Sequence, residues 1–197
     1  MTEKSGIRVI LAYGPQENET AEDREAFTTE LSIELERCID HGDKPLLLGD
    51  LNGKLDLIDG SIEPSTANGK LLCELIQTYG LSVMNFDEKC SGKWTRVKRT
   101  TGEKSVLDYI IADKNLAANF TEMVIDEDCL MCPFYTKKKK GESVVTFSDH
   151  NTIMARMSIP PPERRKEEIQ MRWRINKEGK SALKELTEEV FTMKYIA

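Results

Sequence analysis

The chain has 197 residues, 39% of them hydrophobic and 31% charged, and carries a net charge of −6 at neutral pH. That is enough for one ordinary domain with a sizeable core and a tail, and no apolar run approaches the roughly 18 residues of a membrane-spanning helix. The start, "MTEKSGIRVILAYGP", lacks the basic flank and small-residue cleavage site of a secretory signal, so an intracellular place, cytoplasm or nucleus, is expected.

In chain order, "IRVILAY" (Ile7 to Tyr13) is apolar on both faces and reads as a buried strand. "GPQEN" breaks it. From about Thr20 to Ile39 the period is helical, with Phe27, Leu31, Leu35 and Cys38 at spacings of three or four and acids outside. "HGDKP" ends that helix, and "LLLGD" is a short buried strand. Gly53 to Ala67 reads as a loop. "NGKLLCELIQTYG" is a second helix, with Leu71, Leu72, Leu75, Ile76 and Tyr79 inward and Gly80 at its C-terminal cap. Strands are expected at "LSVMN", around Trp94, at "SVLDYIIA" (Ser105 to Ala112), at "ESVVTF" and at "TIMARM". Strand, helix, strand, helix and then several strands imply an α/β or α+β layered fold with a mixed sheet.

The five cysteines (Cys38, Cys73, Cys90, Cys129, Cys132) are odd in number, which argues against a disulfide framework. "CLMC" (Cys129 to Cys132) has C-x-x-C spacing, but no second pair completes a zinc site. Basic residues gather in "GKWTRVKRTTGEK" and "TKKKKG", and local patches matter more than net charge when the partner is a phosphate backbone. From Ser158 the chain turns proline-rich and densely charged. It reads as a linker and one amphipathic helix with Leu183, Leu186 and Val190 inward.

Some polar residues do not fit a bland core. Asp50 and Asn52, at i and i+2, follow the carboxyl end of an apolar strand, where α/β sheets present ligand-binding groups; an Asp-x-Asn-Gly turn is the competing reading. Asp108 stands inside the apolar "SVLDYIIA", sharing a face with Val106 and Ile110, and a carboxylate there needs a partner. Asp149 and His150 in "FSDHNTIMARM" offer one. His41, the other histidine, sits in a helix-ending loop. A carboxylate can orient an imidazole while another binds a cation or acts as a base.

Taken together, "YGP", "LLLGDLN", "SVLDYII" and "SDHNTI" resemble, in that order, the motifs of the endonuclease/exonuclease/phosphatase superfamily, over about Ile7 to Met157. The flavour is most similar to the endonuclease domain of non-LTR retrotransposon polyproteins. The resemblance implies a layered α-β-β-α sandwich of DNase I-like type over residues 1–157, and a linker toward a reverse transcriptase over 158–197. It implies Mg²⁺- or Mn²⁺-dependent phosphodiester hydrolysis, with DNA as partner, a reverse transcriptase domain in the same polyprotein, and no membrane.

By position, the resemblance assigns Asp50 to positioning or deprotonating the attacking water, and Asn52 to holding phosphate and metal. It assigns Asp108 to the hydrogen bond with the catalytic histidine, Asp149 to the metal, His150 to the phosphate and Tyr13 to phosphate contact. Asp50, Asn52 and Asp149 are the implied metal set. Trp94, Arg96, Lys98, Arg99, Lys137, Lys138 and Lys139 are the expected nucleic-acid contacts. The family's early strand with a catalytic Asn, and its Gln-Glu motif with a metal-binding Glu, have no counterpart in this sequence; the amino-terminal strands are expected to be missing. Reduced or absent activity of this chain alone is therefore expected. A non-catalytic nucleic-acid or protein binding module is the alternative, and a phosphatase of the same superfamily a further one.

Overall fold

The structure, a computed structural model, describes residues 6–98, 100–131, 134–139 and 142–158. Its elements run β1 (Ile7–Leu11), α1 (Ala21–Asp40), β2 (Lys44–Asp50), β3 (Leu55–Ile58), β4 (Ser61–Pro64), α2 (Ala67–Thr78) and β5 (Leu81–Val83). A 3₁₀ turn at Met84–Phe86 follows, then β6 (Cys90–Ser91), β7 (Arg96–Lys98), β8 (Glu103–Ser105), β9 (Asp108–Asp113) and α3 (Lys114–Ala117). The last four strands are β10 (Phe120–Ile125), β11 (Phe134–Lys139), β12 (Glu142–Phe147) and β13 (Ile153–Met157).

A four-stranded mixed sheet in the order β1-β2-β9-β5 is the frame. β1 and β2 are parallel, and β9 runs antiparallel to both β2 and β5. β9 is apolar on both faces, as a central strand covered on both sides must be. Tyr109 and Ile111 join the helix-side core with Leu31, Leu35, Leu47, Leu72 and Ile76. Ile110 and Ala112 turn the other way, to Phe120, Met123 and Ile125 of the second sheet, whose order is β13-β10-β6. The described residues thus build a helix layer and two sheets, a mixed α/β fold of the DNase I-like type; among them no further long helix supplies a fourth layer.

Local chemistry sets the helix starts. Thr20 Oγ1 accepts the Asp23 N–H at 3.1 Å, and the Asp23 carboxylate accepts the Thr20 N–H, a reciprocal capping box that begins α1. Thr66 Oγ1 caps α2 through the Gly69 N–H at 3.1 Å and also accepts the Lys54 N–H at 3.0 Å. One side chain therefore ties the start of α2 to the loop that follows β2.

Several expectations need correction. β1 is a sheet edge: among the described residues it pairs only with β2, and Val9 and Leu11 are 54% and 63% exposed. The Gly53–Ala67 loop contains the β3–β4 hairpin, because Asp59 and Gly60 both take positive φ (50° and 82°), the two-residue turn that joins strands. Trp94 lies between β6 and β7, outside any strand. The "TKKKKG" loop carries β11, and β10 has no counterpart in the sequence reading. Among the described residues no helix is long and apolar enough to cross a membrane. Residues 159–197, where the linker and helix were expected, lie outside the described residues, as do Arg99, Lys140 and Cys132.

Candidate active site

The antiparallel register of β2 and β9 sets Asp50 directly opposite Asp108 at the open end of the pair. Like charges at opposed positions repel, so this arrangement works against sheet stability. His150 relieves it. Its Nδ1 lies 2.8 Å from Asp108 Oδ2, and its Nε2 lies 3.9 Å from Asp50 Oδ2. One ligand atom from each of the three residues falls within a 4.8 Å cluster.

The Asp108 hydrogen bond holds His150 above the ordinary imidazole range, against the opposing effect of burial; the charges of Asp108 and Asp50 add to the rise. Burial, and then the charge of Asp108, raise the Asp50 carboxyl, while the Asn52 N–H works the other way. With Nδ1 facing a carboxylate, Nδ1 carries the proton and Nε2 is left toward Asp50. An imidazole raised above its ordinary range and a carboxyl that holds its proton more tightly than usual, side by side, are parts of a proton-transfer site.

Backbone turns deliver these groups. Gly49 has φ +141°, and a Cβ there would sit 1.9 Å from the Ala12 carbonyl oxygen, so only glycine lets the segment after β1 cross the end of β2. The Gly14 N–H then donates to the Asp50 carbonyl at 2.7 Å, and Tyr13, the residue before Gly14, is exposed. Asn52 takes φ +49°; its N–H donates to Asp50 Oδ1 at 3.1 Å, and its Nδ2 donates to the Gly14 carbonyl at 2.9 Å. The turn and the rim are therefore the same object: the Asx turn aims Asp50.

Asp149 stands differently. Its Oδ2 accepts from Arg96 Nε at 2.7 Å, and it is not in the three-residue cluster. Burial disfavours the Asp149 carboxylate, but the Arg96 hydrogen bond and charge together outweigh burial and hold it below the ordinary range. Trp94 is half-buried against the helix-side core, with Lys93 Nζ 4.6 Å from its ring centroid. Lys98 is exposed at the end of β7, and Lys137, Lys138 and Lys139 lie on β11.

The residues that hold the site together escaped the sequence reading. Thr95, with no solvent exposure, accepts the N–H groups of Leu107 and Asp108 on one hydroxyl, at 2.9 and 3.1 Å. Its carbonyl accepts the Asn151 N–H at 2.7 Å, and Asn151 Nδ2 donates to the Trp94 carbonyl at 2.7 Å. "WT" thereby stitches the His150 segment to the Asp108 strand. Asn85 extends the β5–β9 ladder with its side chain, donating to the Asp108 carbonyl and accepting the Ile110 N–H, both at 3.0 Å. The Tyr109 hydroxyl accepts the Leu55 N–H at 3.0 Å and lies 2.8 Å from the Gly53 carbonyl, fixing the chain just past Asn52.

The donor set suits a hard divalent cation in part. Asp50 and Asp108 supply carboxylate oxygen, which Mg²⁺ prefers, but Asp108 is engaged by His150 and Asp149 by Arg96.

Paired sheets under two helices, with Asp, Asp and His at one end, define an endonuclease/exonuclease/phosphatase-type hydrolase fold. Residues 7–154 match the family described as endonuclease-reverse transcriptase. The chain belongs to that family, within the endonuclease/exonuclease/phosphatase superfamily of phosphodiester hydrolases. Its fold is similar to a 3′ phosphatase from Neisseria bound to a product DNA hairpin, at TM-score 0.55 and 18% identity, covering 79% of this chain and 62% of that one. It is also similar to a 3′-5′ exonuclease from Neisseria meningitidis, at TM-score 0.53 and 18% identity, covering 80% of this chain and 63% of that one. A mannosyl-6-phosphatase from Bacteroides thetaiotaomicron is similar at TM-score 0.48 and 13% identity, covering 77% of this chain and 51% of that one. The chain thus spans about half to three-fifths of the length of these solved chains. No curated protein matches it in sequence.

Proposed function

We propose that this chain carries the phosphodiester-hydrolysing site of a retrotransposon-type DNA endonuclease, working in nucleus or cytoplasm beside a reverse transcriptase of the same polyprotein. The observation that carries the reading is His150 held between Asp108 and Asp50 at the end of two central strands. Asp50 takes the proton of the attacking water, for which a raised carboxyl is the better base. The His150 imidazolium, oriented by Asp108, faces the phosphate and offsets its growing negative charge. The P–O3′ bond breaks, the 3′ oxygen takes a proton from solvent, and a 5′-phosphate is left. Asp50, Asn52 and Asp149 are the groups that would hold Mg²⁺ or Mn²⁺, which when bound stabilises charge on the phosphoryl oxygens.

Polynucleotide is favoured over a small phosphoester because Lys93, Arg96 and Lys98 lie on the same rim segment as Trp94. The Neisseria 3′ phosphatase of similar fold is itself bound to a DNA product. The test is end chemistry on a labelled duplex incubated with the chain and Mg²⁺. Nicks that a polymerase extends directly, lost in His150→Ala, are expected; ends that need phosphatase treatment before extension would overturn the reading. A non-catalytic binding module is the second reading, favoured by the Arg96 clasp on Asp149, which leaves the cation fewer free oxygens. Weak turnover by the chain alone is consistent with that clasp.

A further inference from the structure

The loop after β10 contains the "DCLM" stretch that the site leaves unused. Leu130 is 84% exposed and Met131 46% exposed. Single exposed apolar residues call for no account, but this adjacent pair stands on a loop whose backbone is held by several hydrogen bonds. Asp126, itself buried, accepts the N–H groups of Leu130 and Met131 at 3.1 and 2.6 Å. The Thr152 hydroxyl donates to the Met131 carbonyl at 2.8 Å, and the Asp126 N–H donates to the Thr152 carbonyl at 2.9 Å. A buried carboxylate is costly unless it is bonded, and here its bonds fix the tip that carries two apolar side chains.

The same loop is fastened to the site. Glu127 Oε1 accepts the Trp94 N–H at 2.8 Å, next to the Lys93 cation on the Trp94 ring. Cys129 Sγ lies 3.6 Å from Asn151 Oδ1, and Asn151 follows His150. Cation, aromatic and hydrogen-bonded apolar tip are therefore tied to one another and to the His150 segment. Lys and Arg meet phosphates, while apolar side chains slip against unstacked bases.

We infer that Leu130 and Met131 form an apolar wedge that contacts nucleobases of the bound strand and helps to unstack them. The inference rests on the polynucleotide reading given above. It is tested with duplexes carrying 2-aminopurine at flexible TA steps, comparing the intact chain with L130A/M131A. Binding of the unsubstituted chain should raise 2-aminopurine fluorescence. The double variant should lose that rise and bind roughly 5- to 100-fold more weakly, the range for removing one base contact. Its thermal midpoint should be unchanged, since both side chains are exposed. The control I33A/I39A, exposed on α1, should behave like the unsubstituted chain.

Silent 2-aminopurine in a bound complex, or equal affinity in L130A/M131A, overturns the wedge and leaves the DNA reading standing. No DNA binding by the unsubstituted, folded chain overturns both. Unchanged DNA binding together with lost self-association in L130A/M131A would make the loop a protein contact, and also overturns the wedge.

Discussion

His150 Nδ1 lies 2.8 Å from Asp108 Oδ2, across 42 residues of sequence. That contact sets the tautomer and the charge of the imidazole. A group raised above its unfolded value of about 6.5 contributes stability that is complete below that pH and is lost as pH rises through the folded pKa. With only two histidines in the chain, His41 and His150, proton NMR in EDTA resolves both. His150 is expected to titrate above the ordinary imidazole value, and Asp108→Asn to bring it down. An unshifted His150 resonance would contradict the contact.

Asp50→Asn removes one of two carboxylates that face each other across the β2–β9 pair. The raised Asp50 pKa means that ionising it costs folded-state stability above that pKa and nothing where it is protonated in both states. The variant is expected to gain up to about 1 kcal/mol at pH 7 and to gain nothing near pH 3, while losing hydrolysis. Urea denaturation at the two pH values checks the sign.

Thr95→Val keeps the shape of a side chain with no solvent exposure and deletes the acceptor of two N–H groups. A loss of about 2–4 kcal/mol is expected from leaving the Leu107 and Asp108 N–H groups unpaired. Denaturant midpoints measure it. Thr95→Ser, which retains the hydroxyl, should recover most of the loss.

How far the sequence reached follows from where chemistry is local. The span of α1 and the strands through Leu47 and Ile111 were legible because period and turn residues act over a few positions. Asp50, Asp108 and His150 stood out because they are charged or ionisable groups beside apolar strands, and the structure brings them together. Thr95 and Asn85 were not legible: a buried threonine that accepts N–H groups 12 and 13 residues away reads like any surface threonine. The edge position of β1 was missed since an apolar strand shows no sign of which partners flank it. The Arg96–Asp149 pair was hidden because each residue had another expected role.

Arg96→Gln should release Asp149. Burial then acts without the guanidinium, so the carboxyl should rise. A pair that lowers a carboxyl stabilises above the unfolded value and is lost as pH falls through the folded one, so the variant should be more costly at pH 7 than at pH 3. If Asp149 serves a cation, the variant should also bind Mg²⁺ more tightly. Unchanged Mg²⁺ affinity in a folded variant would exclude Asp149 as the limiting ligand.

Nicking of supercoiled plasmid is the most direct measurement, with Mg²⁺, with EDTA, and with His150→Ala alongside. Slow conversion to the open circle is expected with Mg²⁺, abolished by EDTA, and reduced about 10²- to 10⁴-fold in His150→Ala. Conversion that persists in EDTA and in the variant, or none at all from a folded chain that binds the plasmid, would contradict a hydrolytic site built on Asp50, Asp108 and His150.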